Sequence, residues 1–190
     1  MRVFIAIELE QAIKKALVRL QSDMLKKTDM KKGDAKWVQP DLTHLTLKFL
    51  GEITDQQLVD VCNITKEIAG LHKSFDIDIG QVGSFGGKTA RILWVGAGLH
   101  SENLLQLQAE LEERLEQAGW PKESRQFSGH LTLCRARNIH VGAKLAQLAE
   151  EYKDLQLGEM SVDSLCVFQS ELTPKGPLYT LLGSSKMQLY

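Results

Sequence analysis

The sequence predicts a mixed helix-and-strand protein folded as two lobes of similar plan. Three observations carry this. Strand-like and helix-like segments alternate along all 190 residues, the order of segments in the first half returns in the second, and no Pro/Gly/Ser-rich linker separates the halves. With 43% hydrophobic and 25% charged residues the chain has the mix of an ordinary globular protein, long enough to bury a core without staples. That excludes a disordered chain, a collagen, a low-complexity tract and a disulfide-rich miniprotein. Lys plus Arg number 23 against 24 Asp plus Glu, a net charge of −1. A protein that grips a long duplex carries a basic excess, so any nucleic acid here would be met at a terminus or as a small piece.

Taken in order, residues 2–9 (RVFIAIEL) are β-branched and aromatic-rich and predict a buried strand. Ile13, Leu17, Leu20 and Met24 recur at helical spacing and predict an amphipathic helix to about residue 27. The five lysines between positions 26 and 36 predict a solvated loop, with a nucleic-acid patch as the alternative. A short strand near Trp37 and Val38 precedes HLTLKFLG at 44–51. Thr54 with Gln57 forms a capping-box pattern for a second helix whose inner stripe is Leu58, Val61, Thr65 and Ile68, with Gly70 as its stop. Residues 75–82 alternate strictly and predict a half-exposed strand, 84–88 (SFGGK) a turn or loop, and 91–98 a further strand. A third helix follows on Leu104, Leu107 or Gln108, Leu111, Leu115 and Ala118, ended by Gly119 and Pro121. A strand at 130–137 and a short helix at 141–151 come next. Two strands, 161–172 and 177–189, close the chain around a Pro174–Pro177 hairpin.

Cys62, Cys134 and Cys166 are odd in number and match no CxxC spacing, so they read as reduced thiols of a cytoplasmic protein. The apolar N-terminal stretch is too short for a signal peptide, and no run approaches a membrane span.

One feature rises above this background. His44-Leu45-Thr46-Leu47 returns as His130-Leu131-Thr132-Leu133. A shuffled chain of this composition would contain the tetrapeptide roughly 0.006 times, so coincidence gives way to an ancestral duplication or a shared chemical task. In a strand, residues i and i+2 share a face. Each His and Thr therefore point one way and the leucines the other, toward the core. If the lobes pack about a pseudo-twofold, both His–Thr pairs can face one cleft. A metal site would recruit Asp, Glu, Cys or a third His, and a Ser-His-Asp triad needs one nucleophile rather than two matched histidines. Two imidazoles, one neutral and one protonated, are an acid–base device near neutral pH. Each threonine can donate to a non-bridging oxygen of an oxyanion. In-line displacement at phosphorus fits this set.

These residues resemble the two-histidine phosphoesterases, and within them the bacterial and archaeal RNA 2′,3′-cyclic phosphodiesterases of LigT type, some once described as 2′-5′ RNA ligases. The likeness rests on the double HxTx and on HLTLxFLGE, with RVFIAIEL, RILWVG, HLTLCR and a late strand holding Ser170 and Tyr179 in the family's order. It implies an α+β fold: two pseudo-symmetric lobes with antiparallel sheets flanking a central cleft, helices on the outside, and one two-lobed phosphoesterase domain over residues 1–190. It also implies hydrolysis of RNA 2′,3′-cyclic phosphate ends or cyclic nucleotides to 2′-phosphomonoesters, by a monomer, without metal, organic cofactor or membrane. Carried over, His44 is the proton donor to the leaving 3′ oxygen, His130 the proton acceptor from water, and Thr46 and Thr132 hold phosphate oxygens. Two matched imidazoles leave the order of acid and base open. Arg135 and Phe49 match substrate-binding positions near the phosphate or base. Strict alternation instead puts Phe49 and Arg135 on the leucine face, and Lys48 and Cys134 on the histidine face, unless a bulge re-aims them. Lys48 reads as an exposed lysine and Cys134 as a residue lining the cleft. His72, His100 and His140 read as exposed or capping residues, Trp94 as core, and Trp37 and Tyr179 as core or rim. Gly129 and Ala90 stand where relatives often carry proline, and Gly129 is expected to loosen the entry to its strand. The alternatives are an ATP-independent 2′-5′ RNA ligase using the same residues, and a non-catalytic RNA-end binding module.

Overall fold

The computed structural model describes residues 1–31, 33–174 and 176–189. Its α-helices and strands run β1 (Arg2–Glu8), α1 (Gln11–Lys27), β2 (Ala35–Trp37), β3 (His44–Glu52), α2 (Asp55–Leu71), β4 (Phe75–Phe85), β5 (Ile92–Ala97), α3 (Glu102–Gln117), β6 (His130–Ala136), α4 (Ile139–Glu151), β7 (Gln156–Val162), β8 (Ser164–Thr173) and β9 (Gly176–Lys186). The strands form two sheets, β3-β1-β8-β9 and β2-β6-β5-β4-β7, with every ladder antiparallel. The fold is α+β, as the sequence led us to expect. Apart from the added β2, both sheets have the same plan: the strand bearing the repeated tetrapeptide, then the strand that precedes it in the chain, then two more.

Local chemistry accounts for the boundaries. Thr54 and Gln57 form the reciprocal capping box at the start of α2. Ser101 and Asn138 accept from Leu104 N and Val141 N to start α3 and α4. Lys26 and Lys27 occupy the last turn of α1, where positive charge suits the exposed carbonyls. They therefore belong to the helix rather than to a loop, while Lys32 lies outside the described residues, as does Lys175 of the Pro174–Pro177 turn.

The continuous apolar run of β1 reflects burial on both faces. Val3, Ile5 and Ile7 enter the main core, which extends across both sheets, while Phe4 and Ala6 join Cys166 and Phe168 in a second, smaller cluster. Two expected boundaries differ. The run at 161–172 is not one strand: it breaks at Asp163, so that β7 pairs with β4 in one sheet and β8 with β1 in the other. Asp163 accepts from Ser164 Oγ and Lys186 Nζ at this crossing, and alternation that continues through it gives no sign of the change of sheet. Likewise β4 does not stop before residue 84 but reaches Phe85, pairing there with Ile92. Gly83, inside this longer strand, makes room for an indole: a Cβ there would lie 2.2 Å from the Trp94 ring.

Each tetrapeptide strand carries a β-bulge at the same place. On β3, Thr46 faces Ala6 and Lys48 faces Ile5, which leaves Leu47 unpaired. On β6, Thr132 faces Trp94 and Cys134 faces Leu93, which leaves Leu133 unpaired. The carbonyls of these extra residues are met from the opposite half of the chain: Leu133 O accepts from Val38 N at 2.9 Å, and glutamines from two helices approach both carbonyls. Gln108 of α3 donates to Leu47 O and Gln21 of α1 to Leu133 O, both at 3.4 Å.

The bulge turns Lys48 inward, which corrects its reading as an exposed lysine: it is 4% exposed. Its ammonium is bound by Glu112 Oε1 and donates to Pro121 O at 2.7 Å, and Glu112 also accepts from Glu123 N at 2.7 Å and Gln108 Nε2 at 3.3 Å. Gly129 does not loosen the entry to β6. A Cβ there would lie 2.0 Å from Ala97 O, so the missing side chain permits a tight approach, sealed by Ala97 N donating to Gly129 O at 3.0 Å.

Removing one partner of a buried ion pair strands the other charge. We expect Lys48→Ala to lower unfolding free energy by about 3–5 kcal/mol in chemical denaturation. The paired Lys48→Met, Glu112→Gln variant, which keeps an acceptor for Glu123 N, should lose much less. An equal loss in both would show that the charges do not act as a pair.

Candidate active site

The site grows from the bulges. From the histidine onward, β3 and β6 have the same burial order: His and Thr half-buried, both leucines and the next residue buried, the residue after that exposed. One extra residue after Leu47 and Leu133 reverses the alternation, so the side chains five positions past each histidine rejoin its face. Phe49 and Arg135 therefore stand on the histidine faces, and Lys48 and Cys134 do not, the reverse of strict alternation. Cys134 is fully buried rather than lining a cleft, and burial pushes its thiol up to about 12, which keeps it inert.

The His130 imidazole is tethered to the backbone two residues upstream. The carbonyl of Ser128 lies 2.8 Å from His130 Nδ1. A carbonyl only accepts, so Nδ1 carries the proton and the neutral ring keeps its lone pair on Nε2. The backbone of Leu42, likewise two residues upstream, favours the protonated form of His44. Each ring also has an aromatic setting from its own sheet. His44 lies 4.5 Å from Phe168, 5.5 Å from Tyr179 and 6.0 Å from Phe4, between ring centres. His130 meets Phe85 edge-on at 5.1 Å and lies 6.3 Å from Trp94. Trp94, read as core, is half-buried beside His130. Trp37 packs against the main core.

Charge distinguishes the two sides. Glu8 is the cross-strand partner of His44, and Lys14, buried on α1, reaches to 3.6 Å from Glu8 Oε1. Burial holds the pKa of His44 below its ordinary 6.5. The Lys14 ammonium acts the same way, while the Glu8 carboxylate and the Leu42 hydrogen bond oppose. Among the described residues no protein group engages the hydroxyls of Thr46 and Thr132, whereas those of Thr43 and Thr65 are spent on backbone carbonyls. Both are free to donate to a ligand.

β3 and β6 pack against each other. Burial holds the Tyr179 phenol above its ordinary pKa, with the positive charges of Arg135 and Arg2 opposing, and Tyr179 lies edge-on to His44. Phe49 stands 5.8 Å from Phe4 and is 64% exposed, a large aromatic surface with no structural use. Phe4, Glu8, Lys14, Phe85 and Phe168 were not singled out from the sequence. The uninterrupted apolar run of β1 demands cover on two faces and thereby points to Phe4. Phe85, beside two glycines, carries no such signal. Among the described residues no three His, Cys, Asp or Glu side chains gather as a metal-ligand set. His72 caps the end of α2 and binds Glu110 at 2.9 Å, remote in role from the repeated motif.

A family model for LigT-like phosphoesterases matches residues 7–94 and 98–179. The chain is 31% identical over 183 residues to an RNA 2′,3′-cyclic phosphodiesterase of Methanocaldococcus jannaschii, covering 96% of this chain and 98% of the relative. It is 32% identical over 180 residues to one of Methanothermobacter thermautotrophicus, covering 94% and 95%. In structure it is similar to the protein TT0787 of Thermus thermophilus, with a TM-score of 0.82 and 28% identity over 99% of this chain and 98% of that one. The fold also matches Escherichia coli LigT complexed with 3′-AMP, with a TM-score of 0.77 at 21% identity over 98% and 97%.

A depressed imidazole pKa has a definite sign. The unfolded chain binds the His44 proton at a higher pH than the folded one, so this group's contribution to stability is present above about 6.5 and is lost as pH falls through the folded value. In an NMR titration His44 should show a midpoint below 6.5. Inorganic phosphate, by placing negative charge beside the ring, should raise that midpoint. A midpoint unmoved by saturating phosphate would mean that the anion sits elsewhere.

Proposed function

The chain belongs to the family of LigT-like phosphoesterases, and we infer that it hydrolyses 2′,3′-cyclic phosphates at RNA ends to 2′-phosphomonoesters. The observation that carries the reading is the matched construction of β3 and β6. Each has the same tetrapeptide and the same bulge, with an imidazole beside an unspent threonine hydroxyl.

In this mechanism His130 is the base. Its Nε2 lone pair takes a proton from water as the water oxygen attacks phosphorus. The P–O3′ bond breaks on the opposite side, and His44, protonated, delivers its proton to the departing 3′ oxygen. One proton is taken and one given, and the pair is reset by exchange with solvent. The product keeps phosphate on the 2′ oxygen and has a free 3′-hydroxyl. Thr46 and Thr132 donate to the non-bridging oxygens, whose charge is greatest in the five-coordinate transition state. Burial keeps His44 largely neutral near neutral pH in the free protein, so the anionic substrate, by raising its proton affinity, helps to charge the acid it will use. Phe49 supplies a stacking surface for the base, and Arg135 a guanidinium for phosphate. The mechanism asks nothing of a metal or an organic cofactor.

We further propose that the whole chain works as one two-lobed domain and as a monomer. One core extends through both sheets, and each motif is braced by the other half. A cytoplasmic setting accords with three free cysteines and with the lack, among the described residues, of any helix long and apolar enough to cross a membrane.

With 2′,3′-cyclic AMP as substrate, product analysis should give the 2′-monophosphate, and turnover should persist in excess chelator. Appearance of the 3′-monophosphate would reverse the assignment of the leaving oxygen, and loss of turnover in chelator would remove the metal-free mechanism. His44→Ala and His130→Ala should each lower kcat by about 10²–10⁴, and the double variant should be scarcely worse than either, since the two act as a unit. Thr46→Val or Thr132→Val should cost about 10² in kcat.

A further inference from the structure

The lysine-rich stretch between positions 26 and 36 divides in the fold. Lys26 and Lys27 close α1, whereas Lys36 lies in β2, directly opposite Arg135 of β6. β2 is the edge strand that the five-stranded sheet has beyond the shared plan. Its register is set at the bulge. Val38 N donates to Leu133 O, the carbonyl of the extra residue, at 2.9 Å, and Val38 O accepts from Gln21 Nε2 at 2.8 Å. The bulge that returns Arg135 to the histidine face therefore also fixes the strand that sets Lys36 beside it.

Pairing places the two cations. Phe85 of β4, Ile92 of β5, Arg135 of β6 and Lys36 of β2 form one row across four strands. Residues directly opposite share a face, so the row stands on the face of His130, whose ring meets Phe85 at 5.1 Å. Lys36 and Arg135 are both exposed. Like charges directly opposite on neighbouring strands repel, and a pair serving the fold would join a cation to a carboxylate. Among the described residues neither Lys36 nor Arg135 holds a carboxylate, whereas Lys14, Lys48, Lys144 and Arg114 each do. Arg137, whose N–H donates to Asp34 O at 3.2 Å, adds a third cation at this edge. The Asp34 carboxylate accepts from Lys31 N at 2.8 Å and pairs with none of the three. In a chain of net charge −1, three cations at one sheet edge without a paired acid fit an anionic partner.

The edge lies close to the chemistry. Thr132 faces Trp94 and Arg135 faces Ile92, two rows apart, about 7 Å of strand. Lys36 stands one strand further out, about 5 Å beyond. Arg135 is thus placed to serve the scissile phosphate, and Lys36 a phosphate further along a chain. We infer that Lys36, with Arg135, binds a backbone phosphate of the RNA strand that leads to the cyclic end, and so makes an RNA end a better substrate than a cyclic mononucleotide. The inference rests on the cyclic phosphodiesterase reading and names the substrate class of that site. A patch of so few charges suits the last nucleotides of a single strand and not a long duplex.

The test compares adenosine 2′,3′-cyclic phosphate with a hexa-adenylate ending in the same cyclic phosphate, at about 50 and about 200 mM salt. For the wild-type protein kcat/KM should be about fivefold higher for the hexamer at the lower salt, and the gap should narrow at the higher. In Lys36→Ala the preference should collapse, and the slope of log kcat/KM for the hexamer against log salt should flatten by about 0.7, the share of one phosphate contact on a single strand. Lys36→Arg should keep the preference, and Lys36→Glu should turn it against the hexamer. Lys153→Ala, which removes a positive charge elsewhere, should behave as wild type. Equal kcat/KM for the two wild-type substrates, a preference unchanged in Lys36→Ala, or one lost equally in Lys153→Ala would overturn the inference and leave the hydrolase standing. If neither substrate turns over, the hydrolase reading falls instead, and binding decides the role of Lys36. Fluorescence anisotropy with a labelled hexa-adenylate carrying a 2′-phosphate end should then show about fivefold weaker binding in Lys36→Ala, and equal affinities would count against it.

Discussion

A single extra residue in each of two strands governs how this protein presents its chemistry. Pure alternation would bury Phe49 and Arg135 and expose Lys48 and Cys134. The bulges at Leu47 and Leu133 exchange these roles, and the carbonyls of the two extra residues take donors from the opposite half of the chain. Leu47 O accepts from Gln108 of α3, and Leu133 O from Val38 N at 2.9 Å with Gln21 of α1 adding a contact at 3.4 Å. The bulge that aims one motif is thus held by the half that carries the other. The two histidines cannot be regarded as separate strands that happen to meet, since the brace of each runs through its counterpart's half.

Around that brace the interior is organised by charge as well as by shape. Lys48, turned inward by its bulge, would be costly alone. Glu112 on α3 makes it tolerable and also gathers Gln108 and the backbone of Glu123, so the same helix face that supports the Leu47 carbonyl neutralises the neighbouring ammonium. On β6 the equivalent inward residue is Cys134, which needs no partner. The duplicated construction is therefore symmetric in backbone and asymmetric in chemistry, and the same holds for the histidines. His44 sits among Phe4, Phe168 and Tyr179 with the Lys14–Glu8 pair nearby, and His130 between Phe85 and Trp94. Two copies of one motif thus stand in different surroundings, and burial lowers the proton affinity of His44.

Much of this was legible in the chain. The repeated HLTL, the helical stripes, the Thr54–Gln57 cap and the strand at residues 2–9 all follow from local periodicity and end chemistry, and each stands where expected. What was not legible depends on distant partners. The inward turn of Lys48 requires Glu112, 64 positions away. The break at Asp163 requires two different sheets to receive one alternating run. Phe85 belongs to the site only because β4 extends past a glycine that accommodates the Trp94 indole. Gly129 looked like slack and proved to be a close contact. Local pattern specifies elements; where alternation breaks, it is a contact across the fold that decides which side of a strand faces out.

The place of β1 has a consequence for how the molecule can be made. It lies between β3 and β8, so one of its edges is satisfied by a segment that follows within 50 residues and the other by a segment at the far end of the chain. During synthesis on the ribosome the five-stranded sheet can close once β7 has emerged, since all its members are then present. The sheet that cradles His44 cannot: its central strand keeps one unpaired edge until β8 arrives, and the aromatic bed beneath the imidazole lacks Phe168 and Tyr179 until then. Assembly is therefore vectorial, with the His130 side able to mature first and the His44 side completed only as the last two strands leave the tunnel. No partly translated chain can hold both imidazoles in their final surroundings.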